Sequence, residues 1–172
     1  MSDKEEKNKK VTCLDIDGKK HVVGPDELSF RPSVYGILIE KGKVLLVKQW
    51  DGYDFPGGGI DIHETIEGAL KREFWEETGL DIKPVEIVSV ESSFFRLPYS
   101  EEYVNAVLMY FLCEKIGGKV SAANFDEHEQ KYASEAEWID LGDVEKLKFY
   151  NSVDSLKVLE KAMRSEKLLK TL

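Results

Sequence analysis

The sequence predicts an α/β fold of the α+β type, a mixed β-sheet held between helices, and three observations predict it. Apolar runs rich in β-branched residues mark strands at 33–40, 43–49, 85–97 and 103–113. Helical spacing marks two further segments, 64–78 and a terminal one carrying Val153, Leu156, Leu159 and Met163. The resulting order β, β, loop, α, β, β, α is not a repeated βαβ array, so a purely parallel sheet is disfavoured.

Each element has a local reason. Residues 11–23 read as a hairpin turned at Asp17-Gly18, a dipeptide suited to positive φ. Strands 33–40 and 43–49 form a second hairpin around Lys41-Gly42. The punctuated loop DFPGGGI, 54–60, leads into the helix at 64–78, which Gly79 closes and Pro84 cannot continue. The two longer strands are joined through Pro98-Tyr99-Ser100, and 137–139 reads as a short strand. No long linker or internal repeat interrupts the chain. It therefore reads as a flexible tail, 1–10, and one domain, 11–172, in which 11–23 is an extra hairpin.

Composition narrows the function. The 172 residues are 42% hydrophobic and 10% aromatic, which suits a folded domain with a sizeable core. A net charge of -9 supplies no overall field for nucleic acid or anionic membrane. The charged start MSDKEEKNKK has no apolar core of a signal peptide, and the apolar run ending 107–113 is too short to span a membrane. The expected location is cytoplasmic. Cys13 and Cys113 match no metal or disulfide framework and read as reduced, buried thiols. Exposed hairpin edges leave room for a homodimer.

The central helix carries the chemistry. At about 100° per residue, Ile66, Ala69, Leu70, Glu73, Glu76, Glu77 and Leu80 fall within an arc of about 120°. Carboxylates thus share the side that an amphipathic helix normally buries, with Trp75 behind it, packed against another layer. Like charges about 4 Å apart repel by roughly 4 kcal/mol even at an effective dielectric near 20, so a cation is needed. Hard oxygen ligands select Mg²⁺, with Mn²⁺ as the alternative. Gly57, Gly58 and Gly59 just before the helix allow a phosphate to approach the backbone closely. Trp50, Tyr53, Phe55, Phe94, Phe95 and Tyr99 are candidates to stack a base, and Phe95 and Tyr99 are the two assigned to substrate.

Gly58, Glu64, Arg72, Glu73, Phe74, Glu76, Glu77, Gly79 and Leu80 fill every fixed position of the pattern G-x5-E-x7-R-E-U-x-E-E-x-G-U, U being apolar. The chain therefore resembles the Nudix hydrolase family. The match covers 58–80, and the flanking strand pattern extends it from Ser33 to the terminal helix, with the first hairpin outside it. The resemblance implies an α/β/α sandwich and a divalent-metal-dependent hydrolase that splits a P–O–P bond in a nucleoside diphosphate linked to another moiety. It implies metal ligation by Glu73, Glu76, Glu77 and Glu64, with Arg72 orienting a box glutamate. The general base is Glu76, Glu127 or Glu129, the last two lying in DEHE, 126–129. The alternatives are a non-catalytic module of the same fold that binds a nucleotide or a protein, and an interaction domain whose acidic helix binds metal for stability alone.

Relatives acting on ADP-ribose often carry a proline about fifteen or sixteen positions past the box. Here Phe95 and Arg96 occupy those places and Pro98 follows, which favours a nucleoside triphosphate or another nucleotide derivative as the small-molecule substrate. Inositol pyrophosphates and capped RNA are disfavoured, because no basic stripe is present to hold them.

Overall fold

The computed structural model describes residues 9–98, 100–121 and 133–171. In chain order these form β1 (Val11–Leu14), β2 (Lys20–Val23), β3 (Leu28–Glu40), β4 (Lys43–Gln49), β5 (Gly52–Asp54), β6 (Gly57–Gly59), α1 (Ile66–Thr78), β7 (Leu80–Arg96), β8 (Tyr103–Gly118), β9 (Ala133–Asp140) and α2 (Ser155–Leu169). Among the described residues no helix is long and apolar enough to cross a membrane.

The strands make one mixed sheet in the order β2-β1-β7-β8-β3-β4-β5, with β6 on β3 and β9 on β4. β3 runs parallel to β8 from Leu28 opposite Tyr103 to Leu38 opposite Cys113. β7 and β8 are antiparallel, and the register shifts between Pro84 and Glu86, where a residue without an N–H is tolerated. The sheet forks at one edge of β3. Ile39 and Glu40 pair with Val44 and Lys43 of β4, whereas Ser33, Val34 and Tyr35 pair with Gly59, Gly58 and Gly57 of β6. β4 then continues with β5 and β9 instead.

Both faces are covered, which is why β3 and β4 read as continuous apolar runs. Val34, Leu38, Leu45 and Val47 pack with Ala69, Leu70 and Phe74 of α1. Ile37, Ile39, Val44 and Leu46 pack with Val158, Leu159 and Ala162 of α2. The α1 contact is close: a Cβ on Gly36 would lie 2.6 Å from the Phe74 ring. Cys13 and Cys113 are free and buried, and burial pushes the Cys113 thiol up to about 12.

Several expectations need correction. α1 is turned relative to the expected arc: Ala69, Leu70, Phe74, Glu77 and Thr78 are its buried residues, while Ile66 is 44% and Trp75 46% exposed. Seating Phe74 against Gly36 sets that rotation, and Thr78, carried inward with it, satisfies its hydroxyl by donating to the Phe74 carbonyl at 2.5 Å. β7 starts at Leu80 rather than 85 and β8 ends at Gly118 rather than 113, because the two extensions pair with each other. β9 and α2 are likewise longer than 137–139 and 153–163. The loop expected at 54–60 contains β6, whose three glycines join the sheet through backbone pairing that no side-chain alternation could announce.

Candidate active site

α1 starts where Thr65 caps it, its hydroxyl accepting the Gly68 N–H at 3.1 Å, and ends at Gly79 in the left-handed region, φ 71°. Glu64 thus sits one residue ahead of the cap, at the mouth of the helix, two turns from Arg72. The Arg72 guanidinium organises the acidic surface. Its Nε and Nη2 donate to Glu64 Oε1 and Oε2 at 2.7 Å each, a bidentate pair. Its Nη1 meets Glu76 Oε2 at 2.9 Å and Glu73 Oε1 at 3.0 Å, and Nη2 also donates to the Gly59 carbonyl at 3.3 Å. Arg72 holds the Glu64 carboxyl down to about 2, and Glu64 is the main reason that the Arg72 guanidinium is held more firmly protonated than usual.

Glu77 is only 4% exposed, and its Oε2 accepts the Gly57 N–H at 2.7 Å. Gly57 has φ 148°, and a Cβ there would fall 2.1 Å from the Val34 carbonyl, so only glycine fits. A Cβ on Gly58 would stand 2.7 Å from the Glu73 carboxylate atoms. The glycine segment expected to cradle phosphate therefore sits between β3 and α1, where it holds carboxylates in place, and the Gly57 amide is committed to Glu77.

Glu64, Glu73 and Glu76 share one guanidinium, and Glu77 lies on the same helix, so four carboxylates are gathered at this end of the site. Among the described residues no three Asp, Glu, His or Cys side chains form a ready-made metal cage. That donor set suits Mg²⁺, which takes one or two carboxylates and fills its remaining positions with water and substrate oxygens. Arg72 takes both oxygens of Glu64, whereas it meets Glu73 at Oε1 and Glu76 at Oε2, and the Gly57 N–H meets Glu77 at Oε2.

A cleft of about 400 Å³ opens at the fork in the sheet. Arg31 and Tyr35 of β3, Gln49 and Trp50 at the end of β4, Asp54 at the end of β5, and Phe95 line it. Asp54 is buried; its Oδ1 accepts the Phe55 N–H at 2.9 Å, and burial pushes its carboxyl up to about 7. Tyr35 stacks on Tyr110 at 5.1 Å, while Trp50 meets the edge of Tyr150 at 4.9 Å. The Arg31 guanidinium lies where a Cβ on Gly59 would approach it to 2.9 Å, and Arg31 also lines a smaller pocket beside Gly59 and Asp61. Arg31 thus links cleft and box.

Phe95 lines the cleft, whereas Phe55 is 1% exposed and belongs to the core. Tyr99, Glu127 and Glu129 lie outside the described residues. Arg31, Tyr35, Asp54 and Asn151 were missed by sequence reasoning. They come from three separate segments, β3, β5 and the stretch before α2, with no common spacing, and the one available signal was Asp54, an acid directly preceding Phe-Pro-Gly-Gly.

This fold, with a filled box on α1, is that of a Nudix pyrophosphohydrolase. The NUDIX domain model matches residues 29–161, and the chain belongs to that family. It is 33% identical over 137 residues to the ADP-ribose pyrophosphatase of Methanocaldococcus jannaschii, covering 77% of this chain and 72% of that one. It is 41% identical over 71 residues to the RNA pyrophosphohydrolase of Pasteurella multocida, where coverage is 39% of this chain and 35% of the relative. Among solved structures, an ADP-ribose pyrophosphatase from Streptococcus suis superposes with a TM-score of 0.58 at 20% identity, covering 79% of this chain and 91% of that one. A NUDIX hydrolase from Nitrosomonas europaea gives 0.59 at 14%, covering 80% and 90%. At such identities the structures show the fold.

Gly58→Ala tests the packing of the box. The added methyl displaces the Glu73 carboxylate, the end of a flexible side chain, so melting temperature is expected to move little while kcat/KM falls about 10- to 100-fold. Equal losses of stability and activity would show that Gly58 matters to the fold alone.

Proposed function

We propose that the protein hydrolyses the P–O–P linkage of a nucleoside diphosphate joined to a further group, with ADP-ribose and nucleoside triphosphates the first substrates to compare. The observation that carries this reading is the position of Arg31. It lines the aromatic-walled cleft and lies against Gly59 beside the carboxylates, so a substrate seated in the cleft brings its phosphates to the box. The 33% identity to a protein named ADP-ribose pyrophosphatase, over most of both chains, supports the same class.

In this reading Glu73 and Glu77 would hold a divalent cation, which when bound would supply charge neutralisation and polarisation of the phosphate oxygens. Glu64 does not ligate; it fixes Arg72, which in turn orients Glu73 and Glu76. Arg31 binds a phosphate oxygen and aligns the linkage. Water forms a new P–O bond, the bridging P–O bond breaks with its electron pair leaving on the departing phosphate, and the proton passes to a carboxylate. Glu76 is assigned that proton because its side chain is 31% exposed, against 12% for Glu73 and 13% for Glu64.

The test is a panel of ADP-ribose, nucleotide sugars, NADH, dinucleoside polyphosphates and nucleoside triphosphates, with Mg²⁺ or with chelator, products being resolved by chromatography. Cleavage that requires Mg²⁺ and falls at least about 100-fold in Glu76→Gln is expected. Folded wild-type protein that cleaves no member of the panel overturns the reading.

A further inference from the structure

The first hairpin lies outside the matched family region, which begins at residue 29, yet it contributes Leu14, Asp15, Ile16 and Gly18 to the lining of the cleft. We propose that this hairpin is the outer wall of the substrate cleft and selects the organic group beyond the diphosphate, admitting a single nucleoside and excluding a polynucleotide. The inference rests on the hydrolase reading above and deepens it.

The wall is built to hold its shape. β1 meets β7 through Leu14 opposite Phe95, and Cys13 and Val23 anchor the hairpin in the interior, 0% and 4% exposed. Asp15 staples the turn: Oδ1 accepts the N–H groups of Asp17 at 3.1 Å and Lys19 at 2.8 Å, and Oδ2 meets His21 Nε2 at 2.8 Å. The His21 ring lies 5.7 Å from that of Tyr103. Ile16, one residue beyond this staple, is therefore presented to the cleft at little cost in ordering on binding.

Leu14 and Ile16 are the apolar part of the surface so presented, and the Asp15 carboxylate is engaged within the turn. Leu14 is 40% exposed, so its side chain is accessible from the cleft it lines. Trp50 in the same cleft has φ 48°, an uncommon conformation for a bulky residue and one that concentrates at binding sites. Apolar hairpin residues and the Trp50–Tyr150 pair together offer contacts for a flat heterocycle. Among the described residues two cations line the cleft, Arg31 and Arg96, and Arg96 is already paired with Glu101 at 3.0 Å. A polynucleotide needs a succession of phosphate contacts, which this lining does not supply. A volume of about 400 Å³ is in the range of a site for one small ligand.

The test compares wild type with a Leu14→Ala, Ile16→Ala double variant and with Ile16→Trp alone, which narrows the cleft at a half-buried turn position and keeps the test standing should the double variant fail to fold. Steady-state kinetics on ADP-ribose are measured alongside AMP binding by calorimetry without added Mg²⁺ and hydrolysis of a 5′-triphosphorylated oligonucleotide. Both variants are expected to raise KM for ADP-ribose and the Kd of AMP about tenfold, with the larger part of the loss in KM rather than kcat. Values within twofold of wild type in both variants, no AMP binding by wild type, or wild-type preference for the oligonucleotide overturns the proposal. Wild-type protein that binds AMP through the hairpin but cleaves nothing would sink the hydrolase reading while leaving the wall in place.

Discussion

Replacing Arg72 with alanine is expected to abolish hydrolysis and to destabilise the protein by about 2 kcal/mol, a melting-temperature loss near 5 °C for a chain of this size. Removing one member of a fully buried ion pair costs more, but the Arg72 side chain is 31% exposed and water recovers part of the loss. The reason for any sizeable loss is that Glu64, Glu73 and Glu76 all face this guanidinium and would be left facing each other. Two controls separate this account from a general packing defect. Millimolar Mg²⁺ should restore melting temperature more in Arg72→Ala than in wild type, because a divalent cation can replace the missing charge. Arg72→Lys should recover little activity, because an ammonium cannot make the paired contacts to Glu64. Acid titration supplies a third. Glu64 has a folded value near 2, below its ordinary 4.5, so its contribution is present above pH 4.5 and is lost as pH falls through 2. That portion of the acid dependence should vanish in Arg72→Ala.

The box was legible because its residues are local. Helical spacing alone gathers Glu73, Glu76 and Glu77 on one surface, whereas the role of Arg72 came from the resemblance, and its pairing with Glu64, which lies ahead of the helix cap, is a feature of the folded site. What spacing could not supply was which edge of the acidic stripe turns inward. That was decided by the fit of Phe74 to Gly36, a contact between α1 and a strand more than thirty residues earlier. The cleft was illegible for the same reason. Arg31, Trp50, Asp54 and Tyr150 come together only because β4 leaves β3 after a short pairing and β6 takes its place, and this fork is specified by glycine backbone with no side-chain pattern to read. The first hairpin was recognised from its turn residues, but nothing in residues 11–23 marks it as facing a ligand.

Asp54 gives the prediction with the largest pH dependence. Burial raises its carboxyl from an ordinary 3.8 to about 7, so between those values the folded state keeps a proton that the unfolded chain has released. The sign follows directly: the contribution is fully present below pH 3.8, declines as pH rises, and is lost once pH passes 7. At roughly 1.4 kcal/mol per pH unit, the wild type is expected to lose up to about 4 kcal/mol of stability across that window. Tyr35 and Tyr110, whose phenols are pushed well above their usual value in the same interior, stay neutral throughout and do not confuse the reading. Asp54→Asn keeps an oxygen for the Phe55 N–H and carries no ionisable group, so its stability should change much less between pH 4 and pH 8. Denaturant titrations of both proteins at several pH values check this; parallel curves would show that the carboxyl ionises at its ordinary value. The same ionisation bears on function. If the substrate occupies the cleft as proposed, the Asp54 carboxyl lining it is neutral below pH 7 and anionic above it, where it repels an anionic substrate. KM for ADP-ribose should accordingly rise above pH 7 in wild type and stay flat in Asp54→Asn, a split that a purely structural role for Asp54 does not produce.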